Sequence, residues 1–391
     1  NPGNQGFSGI RNDIYVDKSG LISLINDTID TPRRLTCCSR PRRFGKSMAA
    51  NMLSAYYSRG CDSAELFSGL AIEQDASYKK HLNQHNVIRL DIQKFLFRES
   101  HLDIFIDRMQ EAVIRELRAV YDTDLEPEQY GLPAVLEQIY AHTGEGFVFI
   151  IDEWDCVFRL AKEQKDVQKA YLDFLRGLFK GQEYVELAYM TGILPIKKYG
   201  EHSAINIFKE FSMLNPGRLA GYFGFTEEEV KKLCEKYGVD YGETQKWYDG
   251  YLLGGMHIYN PQAVTELTDS GRFQSYWTGT ETYEALKIYI DLNFDGLKEA
   301  IIRMLSDMRC KIDPSTCQND MTTFGNKDDV LTLLLHLGYL SFDETTGEVF
   351  IPNQEIAREF LRSVRAGGWE GLVRALNRSE ELLRKTWEMD G

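Results

Sequence analysis

Five consecutive apolar residues, Phe147-Val148-Phe149-Ile150-Ile151, run without a polar break and end in Asp152-Glu153. The run is short for a helix, and its aromatic and β-branched side chains suit a strand buried on both faces. A strand of that kind belongs to a parallel sheet with helices on either side. The rest of the first half agrees with it. Candidate strands near 35–38, 87–92, 185–190 and 211–214 alternate with helical stretches at 47–58, 101–121, 130–142 and 163–180. Ile104, Phe105, Met109, Val113 and Leu117 give the stretch at 101–121 a 3.6-residue apolar stripe. Alternation implies right-handed crossovers and an α/β core of three layers, with ligands at the carboxyl ends of the strands.

That edge is where the polar motifs fall. The strand at 35–38 leads into Arg40-Pro41-Arg42-Arg43-Phe44-Gly45-Lys46-Ser47, and a helix follows. Gly45-Lys46-Ser47 matches the end of the phosphate-loop signature G-x-x-x-x-G-K-[ST], but Arg40 occupies the first glycine position. In such a loop backbone N–H groups wrap a phosphate, the lysine reaches the β/γ-phosphates and the hydroxyl ligates Mg²⁺. By this reading Arg42, Arg43, Phe44, Gly45, Lys46 and Ser47 bind the nucleotide. An apolar strand ending in Asp-Glu supplies the complement: Asp152 holds the metal through its water, and Glu153 orients and polarises the attacking water. Ser47 and Asp152 are therefore the metal-site candidates, and Lys46, Glu153 and Thr191 the catalytic ones. Thr191 ends the strand at 185–190, where it either senses the γ-phosphate or simply closes the strand. Asp155 reads as a helix N-cap.

Composition bounds the rest. The chain has 391 residues, of which 43% are hydrophobic, enough for a large core and two or three domains. A net charge of −14 excludes a globally basic nucleic-acid binder. Even so, Arg33, Arg34, Arg40, Arg42, Arg43 and Lys46 crowd into residues 33–46. An odd number of cysteines (7) without a C-x-x-C pair fits reduced thiols, and no apolar run approaches a membrane span, so the expected compartment is the cytoplasm. His81 and His85 have the spacing of a metal pair but no third ligand, and read as a solvated helix end.

Beyond residue 217 the pattern turns mainly helical, with helices expected near 242–249, 260–270, 280–292 and 295–308. A helix at 330–337, a hairpin over 338–351 and a helix from 354 read as a winged-helix-like module, followed by a helix near 367–388. The expected division is a P-loop core over 1–217, a helical lid over 218–325 and a winged-helix-like C-terminal region over 326–391. The acid-rich stretch 343–359 favours protein contacts or packing over groove binding.

The motifs also carry a resemblance. Tyr15-Val16-Asp17-Lys18, the loop from Arg40 to Ser47, Ile151-Asp152-Glu153-Trp154-Asp155 and Thr191-Gly192-Ile193-Leu194-Pro195 resemble the bacterial predicted AAA-ATPase-like family. So do Tyr222-Phe223-Gly224-Phe225-Thr226-Glu227-Glu228-Glu229-Val230 and Trp247-Tyr248-Asp249-Gly250-Tyr251. The resemblance implies that Arg40 is the family's form of the loop. It implies an AAA+-like P-loop core with a helical lid, and ATP as the nucleotide. Many members continue into a PD-(D/E)XK nuclease-like domain. The E-x-K-type match here, Glu229-Val230-Lys231, lies in a helical stretch, so no nuclease site is expected in these residues. Three readings stay open: a Mg²⁺-dependent ATPase, a nucleotide-gated module for protein contacts or self-association through the lid and winged-helix region, and a nucleic-acid-associated ATPase. Arg42 and Arg43 are candidates to neutralise phosphate or to reach a neighbouring subunit.

Overall fold

The apolar run at 147–151 becomes strand β3 (Phe147–Asp152), buried at every position. In the computed structural model, which describes residues 1–98, 102–121, 131–196, 205–276, 289–290, 294, 296–317 and 324–366, it lies inside a five-stranded sheet. The other strands are β1 (Leu35–Ser39), β2 (Asn86–Asp91), β4 (Val185–Gly192) and β5 (Lys209–Phe211), in the order β2-β3-β4-β1-β5. Every pairing is parallel. Side chains alternate across the pleat. Phe147, Phe149 and Ile151 pack with the helices Phe105–Val120, Gly131–Thr143 and Lys165–Phe179. Val148 and Ile150 pack on the opposite face with Gln5–Arg11, Gly20–Asn26 and Lys46–Tyr57. Cys37 and Cys38 divide between the two cores in the same way. Each fully buried Phe or Ile contributes roughly 1.5–3 kcal/mol, so β3 is a large part of what holds helices on both faces of the sheet.

The strand expected at 211–214 lies earlier, at Lys209–Phe211. Ser212 N–H bonds Asn215 O at 3.0 Å, a turn that takes residues 212–215 out of the sheet.

This first unit ends at Phe223 and the second begins at Gly224. The boundary follows from packing, since Leu219 and Phe223 are buried in the core beneath the loop helix. In the second unit, the mainly helical expectation misses a three-stranded antiparallel sheet. It is formed by β6 (Phe225–Thr226), β7 (Tyr251–Leu253) and β8 (Met256–Tyr259), in the order β6-β8-β7. Gly254 and Gly255, both at positive φ (57° and 77°), make the two-residue turn between β7 and β8. The helix and hairpin expected near 330–351 form as Lys327–Leu337, β10 (Ser341–Asp343) and β11 (Glu348–Phe350), with β9 (Cys310–Lys311) added beside β11.

Residues assigned by sequence to a lid and to a separate C-terminal region are bonded to one another here. Tyr251 Oη donates to Gly338 O (2.7 Å), Leu252 N–H to Ser341 Oγ (2.9 Å), and Arg358 lies 4.0 Å over the Trp247 ring. Most of the helix expected at 280–292, and the one at 367–388, lie outside the described residues. No helix among the described residues is long and apolar enough to cross a membrane.

Candidate functional site

β1 ends at Ser39, and the loop begins with Arg40 N–H bonded to Gly192 O of β4 (3.0 Å). The Arg40 side chain is fully buried and bonds within the protein. Its Nη1 donates to Ser39 O (2.9 Å) and to Phe211 O of β5 (3.0 Å), and its guanidinium lies 5.6 Å over the Phe223 ring. Where the signature has glycine, this chain therefore has an anchor tying the loop to the neighbouring strand. Burial lowers the Arg40 pKa from its ordinary value.

Arg43 (φ 70°) and Gly45 (φ 86°) both take the left-handed backbone, turning the chain tightly into the helix Lys46–Tyr57. Gly45 is the N-cap, and no side chain caps the helix. The first-turn N–H groups of a helix have no intrahelical acceptor, and an uncapped terminus of this kind is chemically suited to an anion. Phe44 is buried in the core, Arg42 is exposed and Arg43 is half-buried. Lys46 is 4% exposed and its Nζ donates to Pro41 O (2.9 Å). Burial pushes its pKa down, while Glu153, Asp155 and Asp152 pull the other way. Ser47, in the first turn, is exposed.

β4 lies between β1 and β3, so it places Thr191 opposite Cys38 and beside Asp152. Thr191 is fully buried and its Oγ1 donates to Asp152 Oδ1 at 2.5 Å, leaving that carboxylate a fixed acceptor. Glu153 follows in the left-handed region (φ 55°), uncommon for a residue with a Cβ. Burial raises its pKa, opposed first by Lys46 and then by Arg159.

Two residues at this edge were not among the expected site. Asp155 stands at the N-cap position of the helix Cys156–Leu160 without capping it through its side chain. Its Oδ2 instead accepts from Leu194 N–H (2.8 Å) and Arg159 Nε (3.1 Å). Arg159 also pairs through Nη2 with Glu153. The Asp155–Arg159 spacing of four residues was the available signal, since it places both on one helix face.

The basic cluster of residues 33–46 disperses in three dimensions. Arg33 and Arg34 precede β1 at the opposite end of the strand from the loop, Arg34 bonding Gln182 O (3.2 Å), and Arg40 is buried. The expected solvated helix end at His81 is also corrected. His81 is 5% exposed, and its Nδ1 meets His85 Nε2 at 2.9 Å. His85 Nδ1 in turn meets Glu186 at 2.6 Å. The pair is thus satisfied inside the protein.

The family model described as "Predicted AAA-ATPase" matches residues 2–200. A curated relative, the uncharacterized protein in the vnfD 5′ region of Azotobacter chroococcum mcd 1, is 27% identical over 284 residues. That alignment covers 69% of this chain and 51% of the relative, so the chain spans about half the length of the protein it matches. Among solved structures, the Aeropyrum pernix ORC2 protein (ADPNP–ADP complexes) aligns with a TM-score of 0.34 and 9% identity, over 92% of this chain and 98% of that one. Cdc6p from Pyrobaculum aerophilum aligns with a TM-score of 0.29 and 10% identity, over 90% and 93%. Both superpositions are too loose to carry an argument. By the family match and the motifs within its span, the chain belongs to the predicted AAA-ATPase family.

Proposed function

We propose that this chain binds ATP with Mg²⁺ and hydrolyses it, and that its second unit passes the nucleotide state to a protein partner. One observation carries the reading. A single sheet edge gathers an uncapped helix N-terminus, the buried Lys46 and the carboxylates of Asp152 and Glu153. The donor set fits the ligand: first-turn N–H groups and an ammonium suit phosphate oxygens, while a hydroxyl and a carboxylate suit a hard cation.

In this reading Lys46 leaves the Pro41 carbonyl for the β/γ-phosphates, and Ser47 and Asp152 hold the metal. Mg²⁺, when bound, neutralises charge on the β- and γ-phosphate oxygens. Thr191 acts on the γ-phosphate side through the carboxylate it bonds, Asp152. Glu153 orients the attacking water and draws on its proton. Arg42 or Arg43 neutralises outer phosphate charge or meets a neighbouring subunit, and the greater exposure of Arg42 favours it for that role.

The helix Lys327–Leu337 and the hairpin after it make a winged-helix-like module. Asp329 through His336 are all buried, which leaves that helix no face for a DNA groove.

Calorimetry of ATP binding with and without Mg²⁺, paired with phosphate release, tests the proposal. Glu153→Gln should keep ATP affinity and lose turnover about 100-fold or more, as removal of a water-orienting group does. A chain that binds ATP but turns none over, with Glu153→Gln indistinguishable from it, would be a nucleotide-gated module without catalysis.

A further inference from the structure

Resting on that reading, we propose that Arg159 is a positioning residue that fixes the Glu153 carboxylate for its work on water. Arg159 lies on the short helix Cys156–Leu160, and its side chain is 8% exposed. Its guanidinium spans two carboxylates: Nη2 pairs with Glu153, and Nε donates to Asp155 at 3.1 Å. The Asp155 side chain is fully buried and accepts the Leu194 N–H at 2.8 Å through the same oxygen. The chain Glu153–Arg159–Asp155–Leu194 therefore braces the end of β3 against the segment that follows β4.

Glu153 needs such a brace. Its left-handed backbone is strained, and strained residues persist only where their surroundings over-determine them. A planar guanidinium has donors fixed in a fork, so it can hold both acids at once, whereas a lysine ammonium is a point charge on a flexible stem. The bracket engages one oxygen of Glu153, Oε2, and holds it in place. Because Asp155 is itself fixed and buried, the bracket is rigid, which suits a group that places a carboxylate better than one that latches and releases it.

The test compares the full chain with Arg159→Lys, Arg159→Met, Glu153→Gln and the Arg159→Lys/Glu153→Gln pair. ATP affinity with Mg²⁺ is read by calorimetry, and turnover under saturating ATP. Amide hydrogen exchange across residues 190–196 is read on nucleotide-free protein. Arg159→Lys should lower turnover about tenfold or more, since small misplacements of a reacting group have effects of that size. Its ATP affinity should stay unchanged. Adding Glu153→Gln to Arg159→Lys should cost nothing beyond Glu153→Gln alone, because both remove one function. The Leu194 amide should exchange faster in Arg159→Met even without nucleotide.

The proposal is overturned by unchanged turnover in a folded Arg159→Lys. It is equally overturned by affinity and turnover falling together, the mark of a merely structural brace, or by faster turnover, the mark of a restraining latch. A wild-type chain that binds ATP without hydrolysing it would instead end the ATPase reading itself, and this role with it.

Discussion

At Gly192 a single added methyl would lie 2.6 Å from Trp154 Nε1 and 2.7 Å from Asp155 Oδ1. Both contacts are closer than atoms can approach, and neither neighbour can withdraw, because Trp154 is 2% exposed and Asp155 fully buried. Gly192→Ala should therefore push the Asp152-Glu153-Trp154-Asp155 turn away from β4, with a loss of roughly 1–3 kcal/mol by the usual cost of overpacking. Thermal unfolding and ATP affinity should fall together in this variant. Arg40 makes the opposite case. Restoring the signature glycine with Arg40→Gly should destabilise the chain, not improve it, because the bonds to Ser39 O and Phe211 O disappear. Hydrogen bonds from a charged donor are worth about 1.5–3 kcal/mol each, so a chemical-denaturation midpoint that stays put or rises would refute the anchor role. Lys46→Ala removes the buried ammonium at the start of the loop's helix and should weaken ATP binding about 10-fold or more, on the same scale of charge-assisted bonds.

Among the elements, the sheet of β6, β7 and β8 teaches most. Its signal was present in the sequence as Gly254-Gly255 between Tyr251-Leu252-Leu253 and Met256-His257-Ile258-Tyr259, a two-residue hairpin pattern. Strands of three and four residues carry too little alternation to stand out from the helical periodicity around them. The motif Trp247-Tyr248-Asp249-Gly250-Tyr251 leads into this hairpin, and its side chains are used for packing. Tyr248 Oη donates to Gln274 O (2.8 Å), and Asp249 Oδ1 accepts from Gly250 N–H (2.6 Å). A methyl on Gly250 would sit 1.9 Å from Pro352 O, in a backbone at φ 111°. A methyl on Gly255 would meet only open space, at φ 77°. Gly255→Ala should thus cost about 1–2 kcal/mol for its left-handed backbone alone. Gly250→Ala should cost clearly more, and the two unfolding midpoints measured side by side will show whether contact or backbone dominates.

For the whole molecule, the pairing of buried His81 with half-buried His85 predicts a pH dependence. Burial first, then the neighbouring His85 and Lys80, holds the His81 pKa down to about 4 from its ordinary 6.5, with Glu186 opposing. Between those values the unfolded chain binds the proton that folded His81 refuses. Its contribution is therefore fully present above about pH 6.5 and is lost as pH falls toward 4. Asp30, whose pKa is raised by burial and by Glu186, works in the opposite sense, so the informative quantity is a difference between proteins. His81→Gln should flatten the acid loss of stability across that window relative to wild type, as read from denaturant midpoints at several pH values. Equal slopes in the two proteins would refute it.

The sequence by itself determined the parallel sheet, the position of the loop between the strand at 35–39 and its helix, and the placing of Asp152 and Glu153 at a strand end. Those features are local: an apolar run, a strand–loop–helix succession and a polar stop each lie within a dozen or so residues of chain, as the periodicities of strands and helices require. Only the tertiary structure decided that β4 lies between β1 and β3, and so that the Thr191 hydroxyl meets Asp152. It alone turned Arg40 inward, separated Arg33 and Arg34 from the loop, buried His81, and joined Glu153, Arg159, Asp155 and Leu194 into one brace. The physical reason is common to all of them. Which side chains meet depends on strand order and on which groups lose their water, and both are set by packing between residues far apart in the chain.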